Sequence, residues 1–160
     1  MSIKLEYAAV AQCRPEHLWR VFEHVEQWPR WAPDAIREVR WVRGQPWTKG
    51  AKFTLSLLKP MPFTLTPEVL DADPPIYVRF RGGGSGVTGE QHYIFRYFPE
   101  SNSTELRTLQ EFRGAPLMFF GNSLRSKLEQ GIAHLFARII TEAETIARNE
   151  PAPNPSDSPS

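Results

Sequence analysis

The chain has 160 residues, enough for one domain that buries about 70% of the surface its unfolded form exposes, with no need of a disulfide or metal. Nineteen basic against eighteen acidic side chains leave a formal charge of +1, so no overall field draws in nucleic acid or an anionic membrane. The single cysteine, Cys13, excludes an internal disulfide and fits a reducing compartment.

The first ten residues break their apolar run with Lys4 and Glu6, unlike a secretory signal, and no stretch approaches the ~18 to 20 apolar residues of a membrane span. A cytoplasmic protein without membrane insertion is expected. Ile3, Leu5, Tyr7 and Ala9 alternate with polar residues as a half-buried strand does. Pro15 suits the first turn of a helix, and Glu16 complements the positive end of its dipole. That helix buries Leu18, Val21, Phe22 and Val25 and ends near Trp28-Pro29, since the residue before a proline leaves the helical region. Trp31 and Pro33 then predict a short second helix over about 29–36.

A meander of strands follows. Val39 and Trp41 share one face, and Arg43 ends the alternation. Phe53, Leu55 and Leu57 form the next strand. Phe63, Leu65 and Val69 form another, interrupted at Pro67, which points to an edge or a bulge because proline cannot donate to the ladder. Ile76, Val78 and Phe80 face inward from the strand after it, and Ser85-Gly86 makes a two-residue hairpin turn. The last two strands place Tyr93, Phe95 and Tyr97, then Leu106, Thr108, Gln110 and Phe112, on the same face. Pairing inward residues across both hairpins sets Val78, Tyr93 and Gln110 in one row and Ile76, Phe95 and Thr108 in the next.

Thr108 and Gln110 interrupt an apolar face, and a buried polar group without a partner costs roughly 1 to 3 kcal/mol. Either Tyr93 satisfies Gln110 inside a solid core, or both line a space that holds water or a ligand. An extended helix closes the domain over about 117–148. Leu117, Gly121, Leu124, Leu128, Ile132, Leu135, Ile139, Ala143 and Ile146 form its buried stripe, and Gly121 marks a late start after Pro116. The domain spans 1–149. The proline- and serine-rich residues 150–160 read as a disordered tail.

Gly84-Ser85-Gly86-Val87-Thr88-Gly89 matches the dinucleotide fingerprint letter by letter, but a strand follows where a helix N-terminus should hold the pyrophosphate. The glycines read instead as a flexible hairpin tip that could cover a chamber mouth. No two of His17, His24, His92 and His134 stand at a metal-binding spacing; His17 and His24 lie about 10 Å apart along a helix. Neither metal nor cofactor is expected. Arginines on the outward positions alternate with glutamates, as on a solvated sheet face.

The segment Pro15-Glu16-His17-Leu18-Trp19, Val25 and Trp28-Pro29-Arg30-Trp31-Ala32-Pro33, with Gly50 before Phe53, resembles the opening of the SRPBCC superfamily. That superfamily includes polyketide cyclase/dehydrase-like, START and birch-pollen-allergen-like proteins. The resemblance covers about residues 3–148. It implies an α+β helix-grip fold: a curved antiparallel sheet of six to seven strands around a long C-terminal helix, with two short helices after the first strand and an apolar chamber between sheet and helix.

The expected function is binding of a small hydrophobic ligand of lipid, sterol or aromatic polyketide type. Trp41, Phe53, Leu55, Val78, Phe80, Tyr93, Phe95 and Phe112 would form the sheet wall, and Phe120, Leu124 and Leu128 the helix wall. Tyr93, Tyr97, Thr108 and Gln110 would orient polar substituents. One alternative is a cyclase/dehydratase or aromatase, with Tyr93 as acid and Gln110 holding a carbonyl; it carries no catalytic motif. The other is a regulatory module that docks a protein on the outer sheet face or the glycine-rich tip. Monomer and homodimer are both compatible with the sequence.

Overall fold

The computed structural model describes residues 2–150 apart from 60, 61, 85 and 120. Phe120 of the expected helix wall, and all but the first residue of the expected tail, lie outside the described residues.

Eight strands make one antiparallel sheet: β1 (Ser2–Ala11), β2 (Ile36–Arg43), β3 (Lys52–Leu57), β4 (Phe63–Leu65), β5 (Glu68–Asp73), β6 (Tyr77–Gly84), β7 (Val87–Phe98) and β8 (Ser103–Arg113). Their order is β1-β8-β7-β6-β5-β3-β2, with β4 paired to β3. Seven strands lie along that path, within the expected six to seven, and the short β4 stands off it because Pro67 divides one predicted strand into β4 and β5. The chain stays attached there, since the Phe53 amide still donates to the Pro67 carbonyl at 3.1 Å.

Between β1 and β2 run α1 (Pro15–Phe22), a 3-10 turn (Val25–Gln27) and α2 (Trp28–Trp31). Helix α1 stops earlier than its apolar spacing predicts. The Trp28 indole donates to the Phe22 carbonyl at 3.0 Å and the Trp47 indole to the Glu23 carbonyl at 2.9 Å. A continuing helix would need both carbonyls. Helix α2 is shorter than the expected 29–36, because Ala32, standing before Pro33, has left the helical region at φ −138°.

A second 3-10 turn (Ala115–Phe119) leads into α3 (Gly121–Asn149), which packs chiefly on β1 and α1. Its stripe is as the spacing requires, with Leu124, Leu135, Ile139 and Ala143 buried; Phe136 and Ile140 widen it. At its far end Glu150 accepts from His17 Nε2 and Arg20, both at 2.7 Å. The Arg14 amide donates to His17 Nδ1, which leaves the ring proton on Nε2. This clamp joins the last turn of α3 to the first turn of α1.

Two local expectations need correction. Ile76 is 54% exposed, because its amide closes the turn onto the Asp73 carbonyl at 2.7 Å before β6 begins. The glycine-rich tip is a packed strand end: a Cβ on Gly82 would overlap Pro67, and one on Gly84 would overlap the Thr64 carbonyl. Glycine serves there for close backbone approach. The outer sheet face carries the ion pairs expected of a solvated surface, including Arg79 with Asp71 at 3.0 Å and Arg113 with Glu111 at 2.7 Å.

Candidate functional site

Apart from Ile76, alternation places the inward residues of these strands on the expected face, but the register between β7 and β8 is two residues away from the expected one. The loop joining them holds Asn102 at φ +46°, and Phe98 pairs with Ser103. Alternation fixes which face a residue takes, and a shift of two preserves it. The rows across β6, β7 and β8 are therefore Val78–Tyr93–Thr108 and Phe80–Gln91–Gln110, with Phe95 beside Leu106. On the other side of β8, Tyr7 continues the first row and Leu5 the second.

This register assembles a polar network inside the domain. Tyr93 donates its hydroxyl to Gln91 Oε1 at 3.0 Å and accepts from Gln110 Nε2 at 3.1 Å. Gln110 Nε2 also donates to Thr108 Oγ1 at 3.2 Å. All four side chains are buried. Burial pushes the Tyr93 phenol well above its ordinary range, and hydrogen bonds with Thr108 and Gln110 offset only part of that. The phenol is thus neutral near pH 7. Among the described residues, no fully buried polar atom of this network is left without a partner.

The network lies where two apolar clusters meet. The larger holds Phe22, Trp28, Trp47, Phe53, Phe80, Phe95 and Phe136 together with Tyr93. The smaller holds Ile3, Leu5, Val87, Phe112, Leu117 and Leu124. Ile132 of α3 packs against both, and Leu128 against the smaller. Along α3 the inward residues are fully buried at Phe136 and nearly so at Leu124, while Leu128 and Ile132 between them are only half-buried. The Gln91–Gln110 row faces this seam: Phe80 at one end belongs to the larger cluster and Leu5 at the other to the smaller.

The expected site residues divide along the same line. Tyr93, Thr108 and Gln110 come together as the network. Phe80 stacks on Tyr93 with ring centroids 5.8 Å apart, and Val78 pairs with it across the strands. Trp41, Phe53, Leu55 and Phe95 pack in the larger cluster; Phe53 lies 5.1 Å from both Trp41 and Phe80. Phe112 and Leu124 belong to the smaller cluster, with Leu128 against it. Tyr97 stands apart at the end of β7, its hydroxyl donated to Asn102 at 2.7 Å and its ring beneath Arg14.

Four participants escape the sequence reading. Gln91 follows from the parity of Tyr93 and could have been found by extending the alternation two residues. Tyr7 was visible as an inward residue but not as a neighbour of Thr108, because β1 pairs with the most distant strand. Phe136 covers Tyr7 and Tyr93 at 5.3 and 6.1 Å, yet it stands beside the predicted stripe. Trp31 is 94% buried, and its Nε1 is the one buried side-chain nitrogen or oxygen without a partner among the described residues. Cys13 is buried too, and desolvation followed by the Glu144 charge pushes its thiol up to about 11, which makes it a poor nucleophile.

A model of one family, "Polyketide cyclase / dehydrase and lipid transport", matches residues 2–144. The chain belongs to that family. Among solved structures, Ara h 8.0201 shares 12% identity at a TM-score of 0.70, covering 91% of this chain and 99% of that one. A START superfamily protein from Mycobacterium smegmatis shares 13% identity at a TM-score of 0.70, covering 89% of this chain and 98% of that one. At such identities the likeness speaks for the fold, which is the SRPBCC helix-grip architecture that the opening segment resembles. No curated protein sequence matches the chain. Among the described residues no helix is long and apolar enough to cross a membrane.

Proposed function

We propose that this member of the polyketide cyclase/dehydrase and lipid transport family binds a small hydrophobic molecule between the inner sheet face and α3. Its polar end would meet Gln91 and Gln110. The observation that carries this reading is the buried polar network of Gln91, Tyr93, Thr108 and Gln110 set into an otherwise apolar inner face. Such a network can exchange hydrogen bonds with a guest that offers an acceptor or a donor, so the polar end of a ligand finds partners there. Half-buried Leu128 and Ile132 offer apolar surface beside them. Few polar groups set among apolar walls is the usual composition of a small-molecule site.

The raised phenol pKa makes Tyr93 a weak proton donor near pH 7, which favours binding over a role for Tyr93 as general acid. Tyr93 holds the two glutamines in place, donating to one and accepting from the other. The ligand is thus a lipid, sterol or aromatic polyketide-like molecule with a hydroxyl or carbonyl at one end.

Native mass spectrometry of the freshly purified chain should show a retained small molecule. A thermal-shift series with fatty acids, sterols and aromatic polyketides should show stabilisation by one class. Gln110→Ala should weaken that class about tenfold, the value of one or two hydrogen bonds. No retained mass and no shift with any class would overturn the reading.

A further inference from the structure

Away from the seam, on the flank of the larger cluster, the surface folds into a cleft of about 430 Å³, a size at which small molecules are commonly bound. Trp19 and the Glu23–His24 pair reach it from α1 and the residues after it, Glu26 from the 3-10 turn, Trp41 from β2, and Trp47 from the β2–β3 loop. Trp47 is the buried floor, whereas Trp19 and Trp41 are only half-buried. The Trp41 and Trp19 rings stand 5.2 and 5.4 Å from Trp47 at 82° and 62° to its plane. Rings set so steeply form the sides of a box; a sugar ring would call for a flat platform.

The backbone supports the same arrangement. Trp47 has φ +60°, in the left-handed region that a bulky residue avoids. Its indole N–H is already engaged by the Glu23 carbonyl at 2.9 Å. Trp47 therefore brings aromatic carbon and no free donor to the cleft. Phe22, Phe53 and Phe80 pack behind it at 5.5, 6.0 and 6.1 Å and close the cleft off from the interior of the sheet.

The lining carries Glu23 and Glu26 and neither lysine nor arginine, and His24 Nε2 lies 3.5 Å from Glu23 Oε1. An anion would be repelled. A neutral apolar molecule would gain nothing from the carboxylates. A cation with no N–H groups in need of acceptors meets both features, since tryptophan faces attract positive charge most strongly of the aromatic side chains. We propose that this cleft is a second binding site, for a small organic cation of the quaternary-ammonium or fully methylated amine class.

The test compares choline with its neutral analogue, in which carbon replaces the quaternary nitrogen, by tryptophan fluorescence of the full chain. Choline should give a saturable change and bind about tenfold tighter than the analogue. Trp41→Leu should weaken choline about tenfold, and Glu26→Gln by about two- to fivefold. Glu26 is exposed, so its variant tests the site even where Trp41→Leu disturbs the packing; an unchanged melting curve verifies that. Equal binding of the neutral analogue overturns the proposal. So does a signal that neither substitution alters, saturation by a disaccharide in place of choline, or no saturation at all.

Discussion

The two halves of the interior are built on opposite rules. In the larger cluster Trp28, Phe22, Phe53 and Phe80 are all at most 2% exposed and meet ring to ring at 5.1 to 6.1 Å. Four residues away along α3 from fully buried Phe136, Ile132 is only half-buried, and a row of two glutamines replaces the aromatic rings. One half holds α1, α2 and the sheet in fixed relation. The other sets half-buried apolar side chains beside a polar network. Close-packed interiors tolerate little change in volume, so the guest proposed above would be taken up on the looser side.

The largest expected effect tests that separation directly. Phe53→Ala should lower unfolding free energy by about 3 to 5 kcal/mol, as large-to-small changes in packed aromatic sites do. Leu128→Ala at the seam should cost no more than about 2 kcal/mol, since its side chain is only half-buried. Urea denaturation of both variants measures the contrast. Equal losses would mean that the seam is as tightly filled as the cluster.

A smaller effect concerns the network that borders the seam. Tyr93→Phe removes the hydroxyl shared by Gln91 and Gln110 and should cost about 1 to 3 kcal/mol. The same group shapes the alkaline limb of stability. A folded-state pKa raised above the unfolded value gives stability that is full below the unfolded pKa and is lost as pH rises towards the folded one. For Cys13 that loss runs from the ordinary thiol value of 9.0 to about 11, and the buried Tyr93 phenol adds loss in the same direction above its ordinary value of 10.0. Denaturation midpoints should fall steadily above pH 9. Tyr93→Phe should flatten the upper part of that fall, and Cys13→Ala the lower part.

Two tryptophans of the larger cluster provide a finer comparison. Both are buried, but Trp28 donates to the Phe22 carbonyl at 3.0 Å while Trp31 Nε1 has no partner among the described residues. Trp28→Phe should therefore cost about 1 to 2 kcal/mol more than Trp31→Phe, which relieves an unpartnered donor along with the volume it removes. Equal thermal losses would show that Trp31 Nε1 does find an acceptor in solution.

How much of this could be read beforehand depended on the range of the interaction. Inward and outward faces of β7 and β8 followed from alternation, and α3 from the steps between Leu124 and Ile146, because both patterns are local. The β7–β8 register did not, since a shift of two leaves alternation unchanged, and so Gln110 was set beside Tyr93 instead of Gln91. The end of α1 depended on indoles from Trp28 and Trp47, the latter 24 residues beyond the carbonyl that it engages. The cleft around Trp47 was invisible for the same reason: its walls come from segments that no periodicity links, and its floor sits at a backbone angle that composition does not predict. The fold was legible as a family pattern, and the site only as its parts.

Two glycines beside the seam give the smallest expected effects, of opposite sign. Gly131 lies within α3 next to Ile132, and a Cβ placed on it would meet no atom within 4 Å. Alanine there removes the helix penalty of glycine and should raise stability by about 0.5 to 1 kcal/mol. Gly89 of β7 stands opposite Phe112, and a Cβ there would lie 2.8 Å from the ring, so Gly89→Ala must displace a member of the smaller cluster and destabilise the fold. Melting temperatures of the two variants check the signs. Affinity for whichever ligand class the thermal-shift series identifies adds the discriminating readout: Gly131→Ala that gains stability while losing affinity would place the methyl group in the ligand's volume, whereas unchanged affinity would move the occupied space towards Gln91 and Gln110 on the sheet.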